Sequence, residues 1–246
     1  MIDASITVVS DPGELAARAV ERFIAVARES VARQGRFSAA LSGGETPREM
    51  HRRLAAPPTV SAVPWSSTHF FWVDERCVPR ESPHSNFGAA WGDFLSLVPI
   101  PADHLHPVNG ELLPEDGAAH YELELVRSFH LKKNELPVFD LVILGMGSDG
   151  HTASLFPESA ALSEKKRRAI SVHGGIPALD RITLTLPVLN RARHVVFLVS
   201  GAGKAETVKD VLSGSGASLP AGRIRPVEGE LLWLLDREAA RLLEVG

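Results

Sequence analysis

Residues 139–157 read FDLVILGMGSDGHTASLFP, and this stretch decides the fold of the 246-residue chain. It opens with an uninterrupted apolar run, Leu141–Leu144, which is typical of a strand buried on both faces. A glycine-rich turn that carries Asp149 and His151 follows, and Pro157 closes a second short apolar patch. Open α/β sheets bind ligands where a buried strand ends in such a turn. The stretch therefore predicts both the type of sheet and the position of a site.

The rest of the chain alternates apolar runs with amphipathic segments. Strands are predicted at residues 6–9, 37–41, 68–73, 104–108, 169–172, 181–186, 194–200 and 231–235. Helices are predicted at residues 15–32, 47–54, 86–98, 114–130, 204–212 and 237–243, with a helix or turn at 187–193. Asp11 and Pro12 are suited to open the first helix, and Gly35 ends it. This alternation predicts an open, doubly wound α/β fold, with a mostly parallel sheet and helices on both faces.

Composition narrows the class of protein. The formal net charge is -4, so no overall positive field attracts nucleic acid or an anionic membrane surface. No apolar run reaches the roughly 18–20 residues of a membrane span, and the first residues do not resemble a secretory signal. Cys77 is the one cysteine, which excludes an internal disulfide and a zinc site of paired cysteines. We expect one cytoplasmic domain over residues 1–246 that is a monomer with a small-molecule partner.

Four segments at predicted strand ends carry the reactive side chains: residues 42–46, 74–76, 145–151 and 201–204. The carboxyl ends of parallel strands share one edge of a sheet, so these distant segments can meet. Arg76 and Lys204, with backbone N–H groups of the glycine turns, suit a phosphate monoester. His151 with an aspartate nearby suits general acid–base catalysis. No nucleophile elbow or metal-ligand cluster is present, so these residues predict proton-transfer chemistry on a small phosphorylated metabolite.

The residues alone leave several roles open. Asp149 is either a catalytic partner or a helix N-cap. Arg76 either binds substrate or pairs with a neighbouring carboxylate, and Lys204 is either a ligand or an ordinary lysine of a first helical turn. A cation at a helix N-terminus is unfavourable, which favours an anion there. Arg181 begins a strand that can reach the site, and Asn86 can hold the loop after the third predicted strand.

Five motifs, in this order, resemble the 6-phosphogluconolactonases of the glucosamine-6-phosphate isomerase/6-phosphogluconolactonase family. They are SGGETP (42–47), DERCVPRESPHSN (74–86), GMGSDGHTASLFP (145–157), RITLTLPVLN (181–190) and SGAGKAETV (200–208). The resemblance extends from Ser42 to the C-terminal PAGRIRPVEGELLWLLDREAA, which is most of the chain. It implies a fold like that of glucosamine-6-phosphate deaminase and ribose-5-phosphate isomerase. It also implies hydrolysis of 6-phospho-D-glucono-1,5-lactone, the second step of the oxidative pentose phosphate pathway, without a cofactor.

The resemblance also implies roles for individual residues. His151 matches a general base that takes a proton from water, with Asp149 beside it. Arg76 and Lys204 match basic residues that hold the phosphate. The remaining matches line the substrate pocket: Ser42, Gly43, Gly44 and Thr46 in the glycine turn, and Asp74 at a strand end.

Two rival functions remain at this point. A ring-opening glucosamine-6-phosphate deaminase has an acid just before the proline of the GMGSDGHTASLFP motif, whereas this chain has Phe156, which cannot transfer a proton. A non-catalytic sugar-phosphate sensor would keep Arg76 and Lys204 but would not need His151. A second departure from the lactonase pattern is Glu158, where glycine often follows the proline.

Overall fold

The computed structural model describes residues 4–243, which form ten strands and seven α-helices joined by turns. The strands are β1 (Ser5–Val9), β2 (Phe37–Leu41), β3 (Thr68–Trp72), β4 (Asp74–Arg76), β5 (Leu105–His106), β6 (Leu141–Leu144), β7 (Ala169–Gly174), β8 (Leu179–Leu184), β9 (His194–Val199) and β10 (Glu230–Asp236). The helices are α1 (Pro12–Gln34), α2 (Glu45–Ala55), α3 (Asn86–Asp93), α4 (Pro114–Ser128), α5 (Leu186–Leu189), α6 (Ala205–Ser213) and α7 (Arg237–Ala240).

Seven strands form one sheet in the order β1-β10-β9-β6-β2-β3-β5, and every neighbouring pair is parallel. Strand β6, which the apolar run Leu141–Leu144 predicted, lies in the middle and is buried along its length. From β2 the chain moves outward through β3 to β5, and from β6 it moves the other way. The order therefore reverses between β2 and β6, which is where open α/β sheets bind ligands. The predicted α/β class and mostly parallel sheet are confirmed.

Strands β4, β8 and β7 form a second, antiparallel sheet of three strands. The sequence predicted residues 74–76 as the end of a strand, but they form a strand of their own that pairs with β8. The alternating residues 181–186 overlap β8, as predicted, but its polar face does not meet solvent, because Arg181 and Thr183 are buried. Thr183 accepts a hydrogen bond from the Ser154 N–H, so a polar residue there faces a polar neighbour instead of water. Strict alternation cannot separate these two cases, since both place polar side chains on one face.

Element ends differ from the sequence prediction mainly where backbone geometry intervenes. Asp11 caps α1 as predicted by accepting from the Glu14 N–H, and Gly35 ends it at a φ of 73°. Helix α3 stops at Asp93 instead of residue 98, because Phe94 adopts a non-helical φ of -158°. Strand β5 is shorter than the predicted 104–108. Helix α2 starts at Glu45, two residues before Pro47, so the glycine turn runs directly into it.

One continuous apolar core contains side chains from both sheets. Leu141 of the large sheet and Ile182 of the small sheet both belong to it, and Gly117 of α4 packs directly against Ile182. The expectation of a single domain over residues 1–246 stays a prediction, and residues 1–3 and 244–246 lie outside the described range. Within residues 4–243 no helix is long and apolar enough to cross a membrane.

Candidate active site

A cavity of about 390 Å³ lies at the carboxyl ends of the central strands, where the strand order reverses. The predicted site residues that line it are Ser42, Gly43, Gly44, Thr46, Asp74, Arg76, His151 and Lys204. Asn86 and Arg181, whose roles the sequence left open, also line it. Asp149 is the predicted site residue that does not line the cavity. The structure therefore gathers four distant segments around one space, as the shared edge of a parallel sheet predicts.

The glycine turn after β2 leads directly into α2, and each of its two glycines is required for a different reason. Gly44, the residue before the helix, has a φ of 99°, a region that favours glycine. A Cβ atom added to Gly43 would lie 1.9 Å from Oδ1 of Asn86, so any side chain there would displace Asn86. The first N–H groups of a helix have no partner within the helix, and here they begin at the cavity wall. The turn thus brings backbone donors close to the space where a ligand would lie.

His151 is held by a tight turn that begins at the end of β6. The Gly147 N–H donates to the His151 carbonyl at 2.9 Å, and Gly150 adopts a φ of 80° to complete the turn. Nδ1 of His151 lies 2.5 Å from Oδ1 of Asp149, and the same oxygen accepts from the His151 backbone N–H at 3.1 Å. Because a carboxylate can only accept, Nδ1 carries the proton and Nε2 is the basic nitrogen.

Asp149 is therefore an orienting partner of His151 and does not cap a helix, since no helix begins at this turn. Burial opposes the charged form, but the hydrogen bonds from the His151 backbone and imidazole, with the nearby imidazole charge, hold the pKa of Asp149 below its ordinary value. Asp149 is placed behind the histidine, with its side chain about half exposed. That position explains why it contacts His151 without lining the cavity.

Arg76 and Arg181 lie directly opposite each other in the antiparallel pair β4–β8. Arg76 donates from Nη1 to the His84 carbonyl at 2.6 Å, and Arg181 donates from Nε to the Gly174 carbonyl at 2.9 Å. Neither guanidinium forms an ion pair within the described part of the chain. Burial, and then the neighbouring Arg76 charge, lower the pKa of Arg181. Like charges across a strand pair are unfavourable, so this arrangement favours an anion in the cavity.

Lys204 reaches the same cavity from the turn after β9. Its Nζ donates to the Met146 carbonyl at 2.6 Å, so it also ties the His151 turn to the segment before α6. Burial lowers the pKa of Lys204, and the Asp149 carboxylate partly opposes this effect. Lys204 is thus not an ordinary helix lysine exposed to water, which was the alternative that the sequence left open.

Asp74 is the one buried carboxylate on the cavity wall. Its Oδ2 accepts from the Ser154 hydroxyl at 2.6 Å, and its Oδ1 lies 3.3 Å from Nδ2 of Asn86. Asn86 also donates to the Asp74 backbone carbonyl at 2.9 Å. Asp74 is therefore held by two neighbours and can accept further hydrogen bonds from hydroxyl groups inside the cavity.

Sequence reasoning did not assign several residues of this site. The sequence placed Arg181 within reach of the site but gave it no role, and its pairing with the distant Arg76 brings it to the cavity. Ser154 lies within the diagnostic motif but was not singled out. The ring of Phe156 lies 5.1 Å from the His151 ring, so the residue before the proline is next to His151. Burial raises the pKa of the Cys77 thiol to about 11, so Cys77 stays protonated and is not a nucleophile.

Comparisons with known proteins show which family this chain belongs to. Residues 10–233 match the family model described as glucosamine-6-phosphate isomerases/6-phosphogluconolactonase. A 6-phosphogluconolactonase of Nostoc sp. is 40% identical over 244 residues, which are 98% of this chain and 99% of the relative. One of Synechocystis sp. is 41% identical over 218 residues, 87% of this chain and 88% of that protein.

A solved structure of 6-phosphogluconolactonase from Trypanosoma cruzi superposes with a TM-score of 0.89 at 30% identity. The alignment covers all of this chain and 99% of the other. The family model spans nearly the whole described chain. The chain aligns with 99% of the Nostoc relative and 88% of the Synechocystis relative. The chain therefore belongs to the glucosamine-6-phosphate isomerase/6-phosphogluconolactonase family.

Proposed function

We propose that this chain hydrolyses 6-phospho-D-glucono-1,5-lactone to 6-phosphogluconate. One observation carries the proposal: His151, which is hydrogen-bonded from behind by Asp149, lines one cavity of about 390 Å³ with three cationic side chains that form no ion pair within residues 4–243. The relatives that align over nearly the full length of the chain bear the name of the same activity.

The phosphate would bind among Arg76, Arg181 and Lys204. Their positive charges have no carboxylate partner in the described residues, so a phosphate dianion would compensate them. Hydrogen bonds between charged groups are worth about 1.5–3 kcal/mol each, which is enough to set the orientation of the whole substrate. Asp74 faces the same space and would accept a sugar hydroxyl. This arrangement holds the phosphate at one end and leaves the lactone carbonyl for His151.

His151 would act as the general base. Its Nε2 removes a proton from water while the water oxygen bonds to the lactone carbonyl carbon, and the carbonyl becomes an oxyanion. The Asp149 carboxylate stabilises the imidazolium that forms and keeps the ring in the tautomer with a free Nε2. A fixed phosphate also lowers the entropic cost of bringing the carbonyl against the base.

Collapse of the tetrahedral intermediate would complete the reaction. The oxyanion re-forms the carbonyl, and the bond to the ring oxygen breaks. The imidazolium returns its proton to that oxygen, which leaves as the C5 hydroxyl of the product. Backbone N–H groups of the Gly43–Gly44 turn are the candidate donors to the oxyanion, and such donors contribute about 3–4 kcal/mol in acyl transfer. The balance is one water added per lactone opened, and no cofactor is needed.

A deaminase reaction is disfavoured by Phe156. The deaminases have an acid at this position that assists ring opening, whereas the phenyl ring of Phe156 beside His151 cannot transfer a proton. A sensor without turnover is disfavoured because phosphate binding by the three cations does not require a histidine held by a carboxylate on the cavity wall.

The test is hydrolysis of freshly generated lactone, measured above its spontaneous opening. The wild type should accelerate opening and leave glucosamine 6-phosphate unchanged. Lack of acceleration, together with tight binding of the product 6-phosphogluconate, would point to the sensor instead. Turnover of glucosamine 6-phosphate would support the deaminase. The cytoplasmic location, the monomeric state and the lack of a nucleic-acid partner remain predictions.

A further inference from the structure

Glu75 is a buried carboxylate that the proposed reaction does not use. It is next to Asp74 in β4, but its side chain is turned away from the cavity and is only 2% exposed. It forms no ion pair with any lysine, arginine or histidine in residues 4–243. An isolated buried charge is costly, so its hydrogen bonds must offset its lost hydration.

Four donors surround the Glu75 carboxylate. Oε1 accepts from the backbone N–H groups of Arg76, at 2.8 Å, and Asn86, at 2.7 Å. Oε2 accepts from the Phe87 N–H at 2.8 Å and the Ser85 hydroxyl at 3.2 Å. Burial raises the pKa of Glu75, and these backbone hydrogen bonds oppose the rise. A neutral side chain could not satisfy the same four donors, because one of its positions would itself be a donor.

These contacts join two walls of the cavity. Arg76 contributes a guanidinium to one wall, and Asn86 is the first residue of α3 on the other. A carboxylate against the first N–H groups of a helix is also favoured by the helix dipole. Oε1 alone bonds both Arg76 and Asn86, so a single atom sets the distance between these two backbone positions.

Asn86 transmits this position to the glycine turn. Its side chain fills the space that a Cβ on Gly43 would occupy, and its Nδ2 donates to the Asp74 carbonyl. A shift of the start of α3 would therefore move the Asn86 side chain that packs against Gly43. It would also move Arg76, which shares Oε1 of Glu75 with Asn86. Within the described residues, no other carboxylate accepts hydrogen bonds from the backbone N–H groups of both Arg76 and Asn86.

We propose that Glu75 is a positioning residue whose buried carboxylate holds Arg76 and Asn86 in register for binding of the substrate phosphate. It never touches the substrate and acts through the backbone of these two residues. The inference rests on the proposed lactonase function for the identity of the ligand. It goes beyond that function in assigning the anion-binding geometry to a group outside the cavity.

The test is the isosteric variant Glu75→Gln, with Asp140→Asn as its matched control. Asp140 is equally buried and accepts from the Ser38 N–H and hydroxyl, but it lies before β6 at the opposite edge of the sheet. Both variants lose a buried acceptor and should lower the Tm. Only Glu75→Gln should also raise the KM for the lactone and the Kd of 6-phosphogluconate, by roughly tenfold, with a much smaller change in kcat.

A double-mutant cycle with Arg76→Met isolates the route of the effect. Because Glu75 acts in part through Arg76, adding Glu75→Gln to Arg76→Met should weaken product binding clearly less than Glu75→Gln does in the wild type. Fully additive losses, or a Glu75→Gln variant with wild-type KM and a lowered Tm like the control, would overturn the inference and leave Glu75 a structural residue. A wild type that fails to open the lactone would instead reject the proposed function, so the two failures are distinct.

Discussion

Oδ1 of Asp149 lies 2.5 Å from Nδ1 of His151, although only Gly150 separates the two residues in the chain. The contact needs a backbone that turns back on itself, and the left-handed φ of Gly150 provides that turn. A second histidine–aspartate pair, His173 and Asp180, lies on the exposed β7–β8 hairpin at 2.8 Å. The His173–Asp180 pair therefore serves as a control, because it has the same kind of hydrogen bond as the His151–Asp149 pair but lies away from the cavity.

Replacement of His151 by alanine should abolish most of the catalysis while leaving the phosphate site intact. General-base contributions are typically 10²–10⁴-fold, so kcat should fall by about that factor. The Kd of 6-phosphogluconate, measured by calorimetry, should change little. His173→Ala is the control and should keep full kcat. Wild-type turnover in His151→Ala would reject His151 as the base.

Asp149→Asn should lower kcat by about ten- to a hundredfold without weakening product binding. The amide can still contact the ring, but it no longer stabilises the imidazolium or requires the Nδ1–H tautomer. The lowered pKa of Asp149 favours its charged carboxylate, which is the form that stabilises the imidazolium. Asp180→Asn is the matched control. An Asp149→Asn enzyme with unchanged kcat would reduce Asp149 to a residue of the turn.

Arg181→Met should raise the KM for the lactone by roughly tenfold or more, because a charged hydrogen bond to phosphate is lost. Arg193→Met serves as the control, since Arg193 precedes β9 at the far edge of the sheet, near Asp140. Steady-state kinetics on the two variants decide the matter. If Arg181→Met had the same KM for the lactone as Arg193→Met, Arg181 would only support the β7–β8 hairpin through the Gly174 carbonyl.

Gly43→Ala should reduce kcat/KM by more than a hundredfold. The new methyl group would lie 1.9 Å from Oδ1 of Asn86, and Asn86 is held in place by Glu75 and Asp74. Gly203→Ala is the matched change in the other glycine segment, where nothing lies within 4 Å of the added Cβ. That variant should stay near wild-type activity. A fully active Gly43→Ala would mean that the glycine turn tolerates a displaced Asn86.

Acid should destabilise the fold partly through His51, which is buried on α2 against the Phe94 ring. Burial lowers the pKa of His51 from 6.5 to about 4. The negative charge of Asp93 opposes this shift, and the positive charges of Arg48 and Arg52 add to it. The unfolded chain therefore binds a proton that the folded protein excludes as pH falls from about 6.5 to about 4. The free energy of unfolding is unaffected by His51 above this window and should drop by about 3 kcal/mol across it.

Urea unfolding between pH 7 and 4 measures this loss. His51→Leu should make the slope of stability against pH shallower, and His120→Leu on the exposed side of α4 is the control. His69, whose pKa burial lowers to about 3, leaves a residual slope in both variants. An identical slope in wild type and His51→Leu would contradict the assignment.

Residues 139–157 predicted the fold class because a strand that is covered on both faces needs an unbroken apolar run, and such a run is visible in a short stretch of sequence. Asp11, Pro12 and Gly35 likewise marked helix ends, since caps are satisfied by atoms a few residues away. The glycine turn, the Asp-Gly-His cluster and the two cations Arg76 and Lys204 were visible as residue types suited to a phosphorylated substrate.

Only the tertiary structure decided how these residues meet. Arg181 joins the site because β4 leaves the parallel sheet and pairs with β8, and such long-range pairing depends on which surfaces remain to be buried. Asp74 and Glu75 are neighbours in sequence, but Asp74 lines the cavity and Glu75 contacts the start of α3. Their side chains differ in direction because successive side chains of a strand point to opposite faces. The sequence by itself determined the parts of the site, and packing between distant segments determined their geometry, because no local pattern encodes a contact between strands a hundred residues apart.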